Sequence, residues 1–219
     1  MLLFGADQPP KSATHRAYLE LRRKIITGQI APSERLKVED LKAQLNTGAA
    51  PVREALSLLT SDQLVERLDQ RGFRAAPAGR DHFQEILNLR CTLEDLALRD
   101  SLRLAGQDWE EALVIAHHHL SKVDRSDTDL FEERHRVFHM QLLAGCGSAI
   151  LLKFCAQLYD LNIRYRYLAI RSKTYARRDV AAEHKAILEA AVARDADTAS
   201  ARLMDHYRKT GAFLSEQLA

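Results

Sequence analysis

The sequence is poor in several things, and each shortage excludes something. Its 219 residues hold three cysteines, Cys91, Cys146 and Cys155, an odd number without C-x-x-C spacing. Neither a disulfide framework nor a cysteine zinc site is indicated, and a reducing cytoplasm fits. No run approaches the roughly 18 apolar residues of a membrane span, and the opening MLLFGADQPP lacks the basic start and long apolar core of a signal peptide. A cytoplasmic protein without a membrane partner is expected. H-E-x-x-H, a nucleophile elbow and a Gly-rich phosphate loop are all missing, which removes the usual marks of an enzyme. An excess of either sign of charge is missing too, the formal net charge being +2. Proline is absent after residue 77.

What is present is enough for a folded chain: 46% apolar and 28% charged residues. It divides into two segments. Residues 1–78 contain all the prolines, with Gly28, Gly48 and Gly72 as further breaks, whereas residues 79–219 are long runs of helical period. The boundary falls at the hinge-like Ala76-Pro77-Ala78-Gly79. The first segment carries 12 Lys and Arg against 9 Asp and Glu, the second 20 against 21. This mild basic bias supports a DNA-binding front end without establishing it.

In the first segment the spacing predicts a helix over 14–27, a loop with Pro32, a short helix over 38–45 and a third helix over 49–62, with Pro51 in its first turn. Leu64–Leu68 and Phe73–Ala75, on either side of Asp69-Gln70-Arg71-Gly72, read as a β-hairpin. This is the order of a winged helix-turn-helix, whose second helix braces a third that enters the major groove. On the third helix Val52, Ala55, Leu56 and Leu59 form the inward stripe, leaving Arg53 and Ser57 on another face, free to meet DNA. Lys37, at the start of the second helix, is a further basic candidate. On pattern alone, a small helical domain with solvated arginines or a helix-turn-helix for protein contacts remains the alternative.

The run Pro51-Val52-Arg53-Glu54-Ala55-Leu56, followed by Leu64-Val65-Glu66-Arg67 and Arg71-Gly72-Phe73, resembles the N-terminal domain of GntR-family transcription regulators. The resemblance implies that Arg53 touches operator DNA and that Arg71 and Gly72, at the wing tip, lie near the minor groove. The chain departs from the family before the motif: Gly48-Ala49-Ala50 stands where Ser-Arg-Thr is usual, and Glu39 where Arg or Gln is frequent. Glu39 would repel phosphate unless Lys37 or Lys42 pairs with it.

From residue 81 the period predicts six amphipathic helices, over 81–104, 107–124, 128–145, 149–172, 177–194 and 197–216, with stripes such as Ile86, Leu89, Leu93 and Leu96. An antiparallel all-helical bundle follows, making the chain mainly α. Of nine histidines, His15 and His82 read as exposed helix-start residues. His117, His118 and His119 are consecutive and fan out around their helix, so they cannot share one ion. His135 and His139, four apart, project from one helical face. His184 and His206 each lie 11 residues from Asp195, so an antiparallel hairpin brings them level. All four can converge on one metal ion, or serve as satisfied core residues.

The same residues resemble the C-terminal FCD domain of the FadR branch of GntR regulators, an all-helical sensing domain with a central metal site. Phe138-His139, Glu183-His184 and Asp205-His206 match its ligand positions, and His135 occupies its usual Asp slot. The resemblance implies a divalent metal, zinc or nickel, held by His135, His139, His184 and His206. Without the Asp the ligand set is neutral, which favours an anionic effector. Leu89-Arg90-Cys91-Thr92-Leu93-Glu94 matches the domain's arginine motif, and makes Arg90 an expected effector contact unless it is spent on a surface pair with Glu94. Arg164 and Arg166 are further effector candidates, but they point to different faces of one helix. Ala144-Gly145-Cys146-Gly147-Ser148 and Arg164-Tyr165-Arg166-Tyr167 are similar to the carbon-starvation-induced regulators of the family, associated with glutarate. The expectation is a homodimeric regulator, a repressor, that binds palindromic double-stranded operator DNA and senses a small carboxylate or dicarboxylate. A metal-dependent enzyme and a metal-free structural bundle are the competing readings.

Overall fold

The computed structural model describes residues 12–69, 71–170 and 179–217. The element order is α1 Ala13–Ile26, β1 Arg35–Leu36, α2 Val38–Gln44, α3 Ala49–Ser61, β2 Val65–Leu68, β3 Gly72–Ala75, α4 Arg80–Leu104, α5 Gln107–Ser121, α6 Thr128–Leu143, α7 Ala149–Ile170, α8 Val180–Val192 and α9 Ala196–Gln217. The elements expected from the period are present. The expected last residues of α7 and first residues of α8 fall in 171–178, outside the described residues.

In the first segment α1 and α3 pack through Leu21, Ile25, Val52, Leu56 and Leu59, all fully buried. Ser12 caps α1 by accepting from the His15 N–H. Gly48 caps α3 with no side-chain bond, so this helix start lacks the hydroxyl that normally satisfies an N–H there. The wing is a three-stranded antiparallel sheet in the order β1-β3-β2. Its first strand was expected as loop. Two residues are too short to show alternation, and Arg35–Leu36 become a strand only by pairing with Arg74 and Phe73.

The second segment is a bundle in which α4 packs on α7 and α9, α5 on α6, and α8 on α9. The α8–α9 turn is fixed by backbone geometry. Asp195 N–H bonds the Ala190 carbonyl and Arg194 N–H the Ala191 carbonyl, a Schellman ending with Arg194 at φ 57° in the left-handed region. A glycine is usual there; this arginine offsets the strain by stacking on Trp109, 4.7 Å from the ring centroid, and by donating to the carbonyls of Leu102 and Gly106. Asp195 then caps α9 at the Thr198 N–H. At Gly145, between α6 and α7, a Cβ would stand 2.4 Å from the Ala105 Cβ, so only glycine allows the two connectors to meet.

One stripe differs from expectation. Ile86 is buried, but Leu89 and Leu96 are 48% and 51% exposed. The inward face of α4 instead includes Arg90, Glu94 and Ser101 beside Phe83, Ala97 and Leu98, because polar partners on α7 and α9 receive the charged pair. Among the described residues no helix is long and apolar enough to cross a membrane.

Candidate functional site

In the first segment, α3 presents Arg53 and Ser57 outward, both exposed. The Ser57 hydroxyl donates back to the Arg53 carbonyl at 2.9 Å, which leaves the oxygen able to accept but occupies its proton. Lys37 is the exposed N-cap of α2. Glu39 does not repel phosphate unopposed: Lys42 Nζ lies 2.5 Å from its carboxylate, and that pairing first, with Arg53 a smaller contributor, holds the carboxyl below its usual range. At the wing, Arg71 is exposed and its carbonyl accepts from Arg35 at 3.1 Å. Gly72 sits at φ 92°, a conformation that suits glycine and lets the strand turn. Arg35, which anchors the tip from β1, is a residue that sequence reasoning missed.

Deep in the bundle, the imidazoles of His135, His139, His184 and His206 converge, one ligand atom from each lying within 4.8 Å of the others. All four are at most 2% exposed. Helical spacing places His135 and His139 side by side on α6, with Nε2 atoms 3.1 Å apart. The capped turn sets α8 and α9 in register, with the His184 and His206 rings 4.7 Å apart.

Three of the rings are held from behind. His135 Nδ1 meets the Tyr159 hydroxyl at 2.6 Å, His139 Nδ1 the Tyr207 hydroxyl at 2.9 Å, and His206 Nδ1 the Glu183 carboxylate at 2.8 Å. The fourth, His184, keeps a buried Nε2 with no hydrogen-bond partner among the described residues. A metal ion answers this pattern. Ligating histidines characteristically spend one ring nitrogen on an outer partner and turn the other to the ion. Opposed nitrogens at about 2.1 Å from a common ion would span about 4.2 Å, so the cluster needs little contraction. The residues present therefore fit the group.

Burial is the first cause that drives the pKa of His135, His139 and His184 well below the ordinary histidine value, reinforced by Arg166 at His135 and by His206 at His139 and His184. The folded protein keeps these three rings neutral, while the unfolded chain protonates them below about pH 6.5. Protons then favour the unfolded state, and stability falls on the order of 1 kcal/mol per pH unit for each ring as the pH drops further. Thermal melts should hold their midpoint from pH 7.5 to about 6.5 and show it falling from there to about pH 5.5. A His118→Gln/His119→Gln variant, altered only at exposed positions, should follow the same curve.

Arg166 reaches the cluster: one guanidinium nitrogen is 3.2 Å from His135 Nε2 and another donates to Glu132 at 2.6 Å. Burial pushes the Glu132 carboxyl up, against the lowering pull of Arg166. Arg90 lies one layer behind, bonded to Glu94 at 2.6 Å and Asn162 at 2.9 Å, with its guanidinium 4.1 Å from the Tyr207 ring centroid and 4.8 Å from that of Tyr159. Its pair with Glu94 is thus real but buried, and its NH2 has no partner among the described residues. Arg164 is corrected as an effector contact: it donates to the Ala76 carbonyl at 2.5 Å, because two residues along a helix turn it away from the face that Arg166 occupies. His82 is also corrected, since it is half-buried, 2.7 Å from the Tyr165 hydroxyl, rather than an exposed helix-start residue. The tyrosines, Glu132, Glu183 and Asn162 were missed. Tyr207 and Glu183 adjoin cluster histidines in sequence, the one signal that pointed to them.

Residues 13–74 match the model described as bacterial regulatory proteins, gntR family, and residues 85–209 match the FCD domain. The chain is 36% identical over 203 residues, 90% of its length and 82% of the relative's, to an HTH-type transcriptional regulator, BphR, of Paraburkholderia xenovorans. It is 32% identical to the HTH-type transcriptional repressor GlaR of Escherichia coli, over 86% of this chain and 90% of that one. The solved structure of E. coli McbR superposes with a TM-score of 0.80 at 21% identity, covering 95% of this chain and 99% of that one, a likeness of fold.

Proposed function

Because the chain belongs to the GntR family of bacterial regulatory proteins and carries an FCD domain, we propose that it is a homodimeric repressor in which residues 1–78 read operator DNA and residues 79–219 sense a small carboxylate at a metal centre. That it is a transcription regulator rather than an enzyme follows from the family itself. The observation that carries the sensing reading is the unpartnered Nε2 of His184 among three imidazoles already oriented from behind. His135, His139, His184 and His206 would hold the ion, zinc or nickel by the borderline softness of imidazole. When bound, it supplies a Lewis-acidic attachment point for a carboxylate oxygen. Arg166, beside His135, adds positive charge for that carboxylate, and Arg90 offers its unpartnered NH2 from the layer behind.

A second copy is supported by apolar residues left outside the fold. Leu89 and Leu96 on α4 and Ile150 and Phe154 on α7, two helices that pack together, are between 48% and 73% exposed. A dimer would present two α3 helices, each covering one half-site. Contact between the segments supports coupling: Arg22 of α1 pairs with Asp160 of α7, Gln157 bonds the Ser61 carbonyl at 3.3 Å, and Arg164 bonds the Ala76 carbonyl. An inducer must then bind the DNA-free arrangement better, by about 1–3 kcal/mol.

Selection from a random duplex pool tests the reading. It should return a pseudo-palindrome with half-site centres about 10 base pairs apart. Affinity for that duplex should fall steeply with salt, and a small dicarboxylate should weaken it by about 5- to 150-fold. No enriched sequence, or one whose affinity ignores both salt and every carboxylate tried, would defeat the proposal.

A further inference from the structure

The hydrogen bonds behind the histidine cluster differ in whether their direction is fixed. The Tyr159 hydroxyl is bonded to His135 alone among the described residues, so it can donate to that ring or accept from it. Tyr207 has no such choice. Its single proton goes to Glu94 Oε2, so its oxygen can only accept from His139 Nδ1, 2.9 Å away. Glu94 is committed in turn, because its Oε1 accepts from Arg90 Nε at 2.6 Å, while Arg90 NH1 donates to Asn162 at 2.9 Å. A guanidinium only donates and a carboxylate only accepts, which leaves no bond in this chain reversible. Neutral His139 must then carry its proton on Nδ1. Its lone pair lies on Nε2, the atom that faces His135 Nε2 at 3.1 Å inside the cluster.

The chain is an arrangement of the whole bundle rather than of one helix. Asn162 stands on α7, Arg90 and Glu94 on α4, Tyr207 on α9 and His139 on α6. Stability alone does not account for it. Arg90 and Glu94 are 4% and 1% exposed, and well-packed apolar side chains of similar volume often serve a core as well as a buried ion pair or better. Arg90 also lies 4.1 Å from the centroid of the Tyr207 ring, which holds the phenol in place between Glu94 and His139.

We propose that Glu94 is a positioning residue of the metal centre: through Tyr207 it keeps the His139 proton on Nδ1 and so presents the Nε2 lone pair to the ion. This rests on the metal-centre reading above, and adds to it a residue that touches neither the ion nor a ligating ring. It also separates His139, whose tautomer is preset, from His135, whose tautomer Tyr159 leaves open.

Two measurements on the full chain test the assignment. One is zinc affinity, by competition with a chromophoric chelator. The other is the proton–nitrogen correlation spectrum of the histidine rings in zinc-free protein, with His139→Gln to assign the His139 signals. The wild type should show His139 as the Nδ1–H tautomer. In E94Q the new amide can donate to the Tyr207 oxygen, which turns the phenol proton toward His139 and should move that ring to Nε2–H. Zinc affinity should fall about 10- to 100-fold, as when other outer partners of ligating histidines are lost. Y207F keeps the ring against Arg90 and leaves the Arg90–Glu94 pair intact, so it cuts the same link should E94Q fail to fold. It should lose zinc affinity to a similar extent and show His139 in both tautomers. A purely structural role for Glu94 would lower the melting midpoint without moving the proton. An Nε2–H His139 in the wild type, or folded variants with the wild-type tautomer and zinc affinity, would overturn the inference and leave the metal centre standing. A wild type that binds zinc no better than His135→Ala/His139→Ala would overturn the metal centre, and the inference with it.

Discussion

An Arg53→Ala variant should lose operator affinity by about 30-fold or more, since each half-site of a dimer gives up a contact of about 1–3 kcal/mol. The side chain is exposed on α3, so its removal leaves no cavity and the fold should be unchanged. Fluorescence anisotropy on the selected duplex measures the loss, and a melting midpoint within error of the wild type shows that the fold survives. Carboxylate binding, followed by calorimetry on the same preparation, should be unaltered, because Arg53 belongs to the front segment. Loss of both activities in a folded variant would refute the division of labour between the two segments. Arg71→Ala or Lys37→Ala should act differently. A residue that meets phosphate weakens all sequences alike and lowers the salt dependence, without changing which bases are preferred.

The second large effect concerns the ion. Elemental analysis of protein never exposed to a nickel column should find about one zinc or nickel per chain, a complement of ligands sufficient for a structural-strength site. His135→Ala/His139→Ala should abolish it, since two remaining imidazoles cannot hold an ion against water. That variant also strands the Tyr159 hydroxyl, whose ring partner vanishes, and leaves the Tyr207 hydroxyl with Glu94 alone, so it will melt earlier. His184→Ala disturbs less, because its Nε2 has no hydrogen bond to break among the described residues, and it should still lower the metal content sharply. A wild type that is folded and metal-free would reduce the four histidines to a polar core, and carboxylate sensing would then depend on arginines alone.

Much of this was legible in the sequence because it rests on local rules. The helices declare themselves through apolar period, and the inward stripe Val52, Ala55, Leu56 and Leu59 is buried as that period requires. His135 and His139 needed only the helical repeat, and His184 and His206 only the symmetry of a hairpin about its turn. What stayed hidden depends on partners distant in the chain. Strand β1 exists because β3 offers it carbonyls and N–H groups, and nothing in Arg35–Leu36 says so. On α4, periodicity assigns Leu89 and Leu96 inward and treats Arg90 as flanking. The structure reverses this, because Asn162 and the Tyr207 hydroxyl, 72 and 113 residues from their α4 partners, make burial of Arg90 and Glu94 tolerable. Arg164 and Arg166 could be separated in sequence to the extent of facing different ways, but not as to which of them faces the histidines.

That last pair has a mechanical meaning. Arg166 grips Glu132 and borders His135 on one side of α7, while Arg164 grips the Ala76 carbonyl, just before the connector into α4, on another. Two residues along an α-helix subtend about 200° around its axis, so the helix is an axle with two cranks set nearly opposite. Any turn of α7 about its own axis displaces the two guanidinium groups in opposing directions. It cannot slacken one attachment without pulling on the other. Torsion about a helix axis, rather than sliding along it, is therefore the motion to which these two anchorages are jointly sensitive.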